Sequence, residues 1–212
     1  MEFILFIPVL FFSIIVHEVA HGYVAYSLGD DTAYLSGRLT FNPLAHIDKY
    51  GTILVPLFCY FTGLPLFGWA KPVPVNVLRL PSPRRDMGKV AIAGPAVNLV
   101  LAVVFAMVLK IVLLAQGSLS ASTVKNAFSL LQYGILINVM LAVFNLMPIT
   151  PLDGGRIVTA LLPVKAAIAY DNFFSRFGMW LVLILILTGA VKYLIWPPAA
   201  FVLNVILRII NF

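Results

Sequence analysis

Four runs of largely apolar residues, Phe3–Leu28, Met87–Ala115, Asn126–Met147 and Phe173–Tyr193, most constrain what this chain folds into. Each reaches about 20 residues, the length an α-helix needs to cross the hydrocarbon of a bilayer. Composition leaves no other solvent open. Of 212 residues, 62% are hydrophobic and only 10% are charged, with a mean hydropathy of +1.03. A soluble domain carries about 25% charge, and this chain has too little polar surface to cover itself. The expected fold is an all-α polytopic membrane protein of one domain, residues 1–212. Its core is residues 1–163, and additional C-terminal helices lie in 173–212. The first run has no basic stretch before its apolar core, and it holds His17, Glu18 and His21, so it reads as a retained helix rather than a leader.

About four transmembrane helices are expected. Tyr50–Phe67 is also apolar, but short and broken by Pro56, Gly63 and Pro65. It reads as a re-entrant segment, which a membrane tolerates where protein or water satisfies the backbone. Gly68–Lys89 is basic and proline-rich, and we expect a short extended or β region there on the cytoplasmic side. Pro148 and Pro151 halt the third run, and Asp153–Leu162 restarts a helix that Pro163 stops. Pro197 and Pro198 are expected to break the fourth run's continuation, leaving Ala199–Phe212 as a short amphipathic or partly inserted tail.

The net charge of +6 comes from Lys and Arg in the loops between apolar runs. That pattern fits a cytoplasmic face against anionic lipid and implies no nucleic-acid partner. Cys59 is the only cysteine, so there is no internal disulfide, and it reads as a small buried hydrophobe.

The chemistry is concentrated at His17-Glu18-Val19-Ala20-His21. Residues four apart share a helix face, so both imidazoles can grip one zinc ion with Glu18 beside the open coordination position. Ionisable residues deep in a membrane helix are costly unless paired or functional; the alternative is a polar cluster that packs helices together. A third ligand is needed. Asp153 is the candidate, at a helix interruption facing a cavity, although Asp-Gly-Gly before a helix also fits an ordinary N-cap.

The two motifs together resemble the site-2 protease family of intramembrane zinc metalloproteases. There an H-E-x-x-H helix and a later N-x-x-P-x-x-x-L-D-G segment build one metal site, and this chain carries Asn145, Pro148, Leu152, Asp153 and Gly154 at those positions. Gly94-Pro95-Ala96-Val97-Asn98 and Gly68-Trp-Ala-Lys-Pro-Val-Pro-Val-Asn76 match as well, so the resemblance spans Val16 to Arg156. It implies His17, His21 and Asp153 as ligands of one Zn2+ per chain and Glu18 as catalytic base. The form is short, without a PDZ or CBS domain. The implied partner is a transmembrane-protein substrate within the lipid bilayer; the alternative is a polytopic zinc-binding membrane carrier, which would want a ladder of ionisable residues that this chain lacks.

Depth gives the topology. Ligands of one metal lie at one level, and Gly68–Lys89 is cytoplasmic by its charge. The Met87 helix then runs outward and the Asn126 helix inward, which places Asp153 in the cytoplasmic half. His17 and His21 reach that level only if Tyr50–Phe67 dips in and returns, so the N-terminus is expected outside. A compact form suggests a prokaryotic plasma (inner) membrane.

Four further residues have two readings each. Asn98 and Asn145 are oxyanion candidates or helix–helix hydrogen-bonders. Val73 and Val75, beside Pro72 and Pro74, either offer an edge strand to an unwound substrate or belong to a rigid surface loop. His46 is a further metal contact, a gate, or a structural hydrogen-bonder. Arg156 pairs with a carboxylate or anchors at headgroups.

Overall fold

The structure, a computed structural model, describes residues 2–63 and 68–209. The last four residues of the expected re-entrant segment and the end of the expected tail, 210–212, lie outside the described residues. Helix α1, Glu2–Ser27, carries Ser13, His17, Glu18 and His21 within its apolar length. It stops at Gly29, whose φ of +103° is a backbone that a side chain would strain. Two short helical pieces follow, α2 at Thr32–Leu35 and a 3₁₀ turn at Pro43–His46. A π-helical stretch, Lys49–Leu54, leads directly into α3, Val55–Thr62, which ends at Gly63 in the left-handed conformation. After the irregular Gly68–Asn76 come α4 (Pro83–Leu114), α5 (Ala121–Asn145) and α6 (Asp153–Leu161). The chain closes with α7 (Val164–Leu187) and α8 (Val191–Ile209).

Five helices, α1, α4, α5, α7 and α8, are long and apolar enough to cross a membrane. The fold is thus a polytopic all-α membrane domain, with one more such helix than expected. The difference lies at the C-terminus. The break falls at Gly189 (φ +70°), not at Pro197-Pro198, and the chain restarts a helix at Val191 that runs through both prolines. Membrane helices absorb such rings because neighbouring groups re-satisfy the freed carbonyls. Three starts are also earlier than expected, α4 at Pro83, α5 at Ala121 and α7 at Val164. Ser120 Oγ accepts from the Thr123 N–H at 3.1 Å and starts α5 at Ala121. Pro83 at the first position of α4 has no N–H to lose. No β-strand forms among the described residues.

Helix α4 is central and packs on α1, α5 and α6. Ala102 and Ala106 on it are fully buried and join Leu131, Ile135 and Val139 of α5 with Ile195, Ala199 and Ile206 of α8 in one apolar cluster. Small residues one turn apart let helix backbones approach closely, which is how helices associate where lipid removes the hydrophobic drive. Outward-facing Leu114, Trp180 and Phe201 are left exposed, as a lipid-facing surface requires.

Polar contacts gather at one end of the bundle. Arg79 pairs with Asp31, and the fully buried Asp30 accepts the Asn76 N–H at 2.6 Å. Burial works to raise the Asp30 carboxyl, but hydrogen bonds from Thr32 and Asn76, with Arg79 nearby, hold it below its ordinary value. The C-terminal end of α1 and the N-terminal end of α4 therefore meet on one side, and the two helices run antiparallel. Cys59 is buried and unpaired, as expected.

Candidate metal centre

His17 and His21 lie one turn apart on α1, and α6 begins at Asp153, so a helix face and a helix start supply the three groups. Their ligating atoms converge. His17 Nε2 stands 3.2 Å and His21 Nε2 3.3 Å from Asp153 Oδ2. The two Nε2 atoms are 3.0 Å apart, and all three candidate ligand atoms lie within 4.8 Å of one another. Ligands each 2.0–2.2 Å from a tetrahedral zinc stand roughly 3.3 Å apart, so the three groups have the spacing to hold one such ion.

The chemistry of the donors agrees. His21 Nδ1 is 2.7 Å from the Val90 carbonyl, which only accepts, so Nδ1 carries the proton and Nε2 presents a lone pair. Asp153 Oδ2 is buried and has no hydrogen-bond partner. Read as ion pairs, the His–Asp contacts need imidazolium rings in an apolar bundle. Neutral rings around a cation satisfy every atom, and such a metal centre is complete only when its outer contacts are counted. Gly94 of α4 confirms how tightly the site is closed, because a Cβ there would collide with both imidazoles. Gly154 is needed for a second reason: a Cβ would strike the carbonyls of Leu146 and Met147, where the end of α5 turns against the start of α6.

Glu18 projects beside the cluster and is half-buried. Its Oε2 accepts the backbone N–H of Val73 at 2.8 Å. The segment that carries Val73 is pinned from several sides. Lys71 N–H donates to the His46 carbonyl at 2.9 Å. Arg38 Nη2 donates to the carbonyls of Lys71 at 2.6 Å and Pro72 at 3.2 Å.

The other sequence candidates distribute as follows. Asn98 is fully buried with its Oδ1 2.6 Å from His17 Nδ1, and its Nδ2 faces Asn138 Oδ1 and the Ser13 carbonyl. Both ends of that amide are occupied, so it has no donor left for an oxyanion. Asn145 Nδ2 gives one hydrogen bond to Leu141 of its own helix at 3.0 Å and keeps a second amide hydrogen. Val73 is buried and Val75 half-buried. His46 is buried away from the metal group and bonds the Thr40 carbonyl at 2.8 Å, the structural reading. Arg156 touches Met87 Sδ at 4.0 Å rather than a carboxylate.

Sequence reasoning missed Ser13, Arg38 and Asn138, all buried polar residues. Asn138 was findable as an amide in the middle of a spanning run, where an unpaired polar group is expensive. Arg38 was hidden in a polar loop and gave no such signal.

The model of peptidase family M50 matches residues 5–187. This chain belongs to peptidase family M50. With that membership goes zinc metalloprotease activity, as the sequence resemblance implied. YwhC of Bacillus subtilis, a protein assigned as a zinc metalloprotease, is 38% identical over 187 residues, which cover 87% of this chain and 81% of YwhC. The zinc metalloprotease MJ0392 of Methanocaldococcus jannaschii is 29% identical over 88% of this chain, but the match spans only 42% of that longer relative. Rip2 of Mycolicibacterium smegmatis, also assigned as a zinc metalloprotease, is 29% identical over 90% of this chain and 69% of its own length. No solved structure matches the chain.

Proposed function

We propose that this chain hydrolyses peptide bonds within or next to the transmembrane segments of membrane-protein substrates, with His17, His21 and Asp153 as zinc ligands and Glu18 as general base. The observation that carries this is the convergence of three lone pairs, two imidazole and one carboxylate, at tetrahedral-edge spacing with a carboxylate beside them. Bound there, zinc supplies an open coordination position that lowers the pKa of a water toward ~7 and polarises the scissile carbonyl. Glu18 takes the water's proton and passes it to the leaving amine. The free hydrogen of the Asn145 amide is the donor we assign to the developing oxyanion. The carrier alternative has no support in the structure, since among the described residues only this one group of three metal-binding side chains occurs.

The active site belongs in the cytoplasmic half of a prokaryotic plasma membrane, with the N-terminus outside. Supporting this, the Lys49–Thr62 excursion begins and ends in one place. Trp69 N–H donates to the Gly51 carbonyl at 3.0 Å, and Thr52 Oγ1 donates to the Trp69 carbonyl at 2.9 Å. Together the π-helical stretch and α3 make a continuous helix of 6 plus 8 residues, still short of the roughly 20 needed to span. We read it as re-entrant. Pro72 and Pro74 drive the residues before them toward extended backbone, and they remove the N–H groups from one edge of the segment; on the other edge Glu18 already holds the Val73 N–H, and the Val75 N–H is left to meet an unwound substrate strand.

The reading is tested by metal removal in proteoliposomes that hold the full chain and a model single-span substrate. Chelation should stop cleavage, and one equivalent of zinc should restore it. Cleavage that persists after complete chelation would refute the proposal.

A further inference from the structure

We infer that Asn98 is the positioning residue for His17, and that a buried relay of Asn138 and Ser13 fixes its amide so that His17 presents the Nε2 lone pair to the metal. The inference rests on the zinc reading above and adds what sets the ligand's tautomer.

The relay runs across three spanning helices, with Ser13 on α1, Asn98 on α4 and Asn138 on α5, and all three residues are fully buried. Its polarity is fixed by backbone carbonyls, which can only accept. Ser13 Oγ donates to the Val9 carbonyl at 2.8 Å, which leaves its lone pairs for Asn138 Nδ2 at 2.9 Å. The other hydrogen of Asn138 Nδ2 goes to the Gly134 carbonyl at 2.8 Å. Asn138 therefore turns Oδ1 toward Asn98 Nδ2, 2.8 Å away. The second hydrogen of Asn98 Nδ2 meets the Ser13 carbonyl at 3.3 Å. Only Oδ1 remains to face His17 Nδ1 at 2.6 Å, so it accepts and Nδ1 holds the proton.

Reversing the Asn98 amide sets its oxygen against two acceptors, the Ser13 carbonyl and Asn138 Oδ1. In a buried site neither contact has water to relieve it. His21 needs no relay, because a single carbonyl, that of Val90, performs the same task. The two histidines are thus set by different means, and only the His17 arrangement depends on side chains of other helices. Asn98 acts through His17, and its donor atom is not available to substrate.

Two variants of similar size separate the roles. Asn98→Asp keeps an acceptor at His17 and, with its second oxygen protonated, still gives one hydrogen bond to Asn138 Oδ1, whereas Asn98→Leu removes the acceptor. Zinc dissociation constants are measured on the purified full chain by chelator competition, with thermal melting as the control for fold. The relay predicts that Asn98→Leu weakens zinc by about 10–100-fold, the usual consequence of losing an outer partner of a ligating histidine, and that Asn98→Asp binds zinc close to wild type. Equal zinc affinity in the two folded variants, or loss of zinc in a folded Asn98→Asp, would overturn it. An oxyanion role instead predicts full zinc binding and no cleavage in both.

Asn138→Leu supplies a readout that needs neither zinc nor activity. The ¹⁵N spectrum of histidine-labelled, metal-free protein should show His17 protonated at Nδ1 in wild type and as a mixture of tautomers in the variant. An unchanged tautomer sinks the relay. A wild type that binds no zinc yet shows the expected tautomer change fails the metal reading and leaves the relay standing.

Discussion

Gly94 approaches His17 and His21 so closely that its missing side chain is part of the site. Gly94→Ala should cost the chain its zinc, because the added Cβ overlaps both imidazoles and α4 is held by α1, α5 and α6. The expected result is loss of at least about tenfold in zinc affinity, the scale of disturbing a ligand's surroundings, read by chelator competition. Wild-type affinity in Gly94→Ala would mean that α4 yields and that the close approach is incidental. At this scale the grouping of His17, Glu18 and His21 was legible in the sequence, because their spacing matches a helix face and polar groups in an apolar run are costly unless paired or functional. Asp153 was legible only alongside the family motif, since Asp-Gly-Gly before a helix reads equally as a cap. The Asn98–His17 bond was not legible, because it joins residues 81 apart in sequence, and nothing in either run names the partner.

Among the elements, Gly68–Asn76 has the most direct bearing on catalysis. It is irregular in structure, yet it is fastened by Arg38, His46 and Asp30 and reaches Glu18 through the Val73 N–H. Val73 therefore serves two purposes, and Val73→Pro would confound them. Val75 isolates the substrate-pairing proposal, because its N–H has no partner among the described residues. Val75→Pro should lower kcat/KM for a transmembrane substrate about five- to tenfold, the scale of one main-chain hydrogen bond of ~1 kcal/mol. Zinc content should be unchanged. Unaltered kcat/KM would remove Val75 from substrate binding. The long helices were legible from apolar length alone, but their ends were not. The C-terminal break falls at Gly189 rather than at the prolines, because a left-handed glycine stops a helix outright, whereas membrane helices tolerate proline.

For the molecule as a whole, the sequence contained the sidedness argument and the structure supplies its geometry. The end of α1 and the start of α4 are joined by Asp30–Asn76 and Asp31–Arg79, and Lys49–Thr62 leaves and rejoins the same place. Both support an odd number of crossings before α4, and the proposal of an N-terminus outside adds to this the basic charge of Gly68–Lys89. Cysteine-accessibility labelling in intact cells should therefore label Glu2→Cys from outside and Ser82→Cys only after permeabilisation. Labelling of both from the same side would overturn the topology. The fifth long helix, α8, was missed because its amphipathic tail and two prolines hide a continuous helix that packs on α4 and α5. What unites these scales is the proposed zinc site with Glu18 as its general base. The most direct test compares wild type with Glu18→Gln, with bound zinc and cleavage of a model transmembrane substrate measured in the same samples. The account predicts about one zinc per chain in both and cleavage by wild type alone. Cleavage by Glu18→Gln at the wild-type rate, or the absence of zinc from an active wild type, would contradict it.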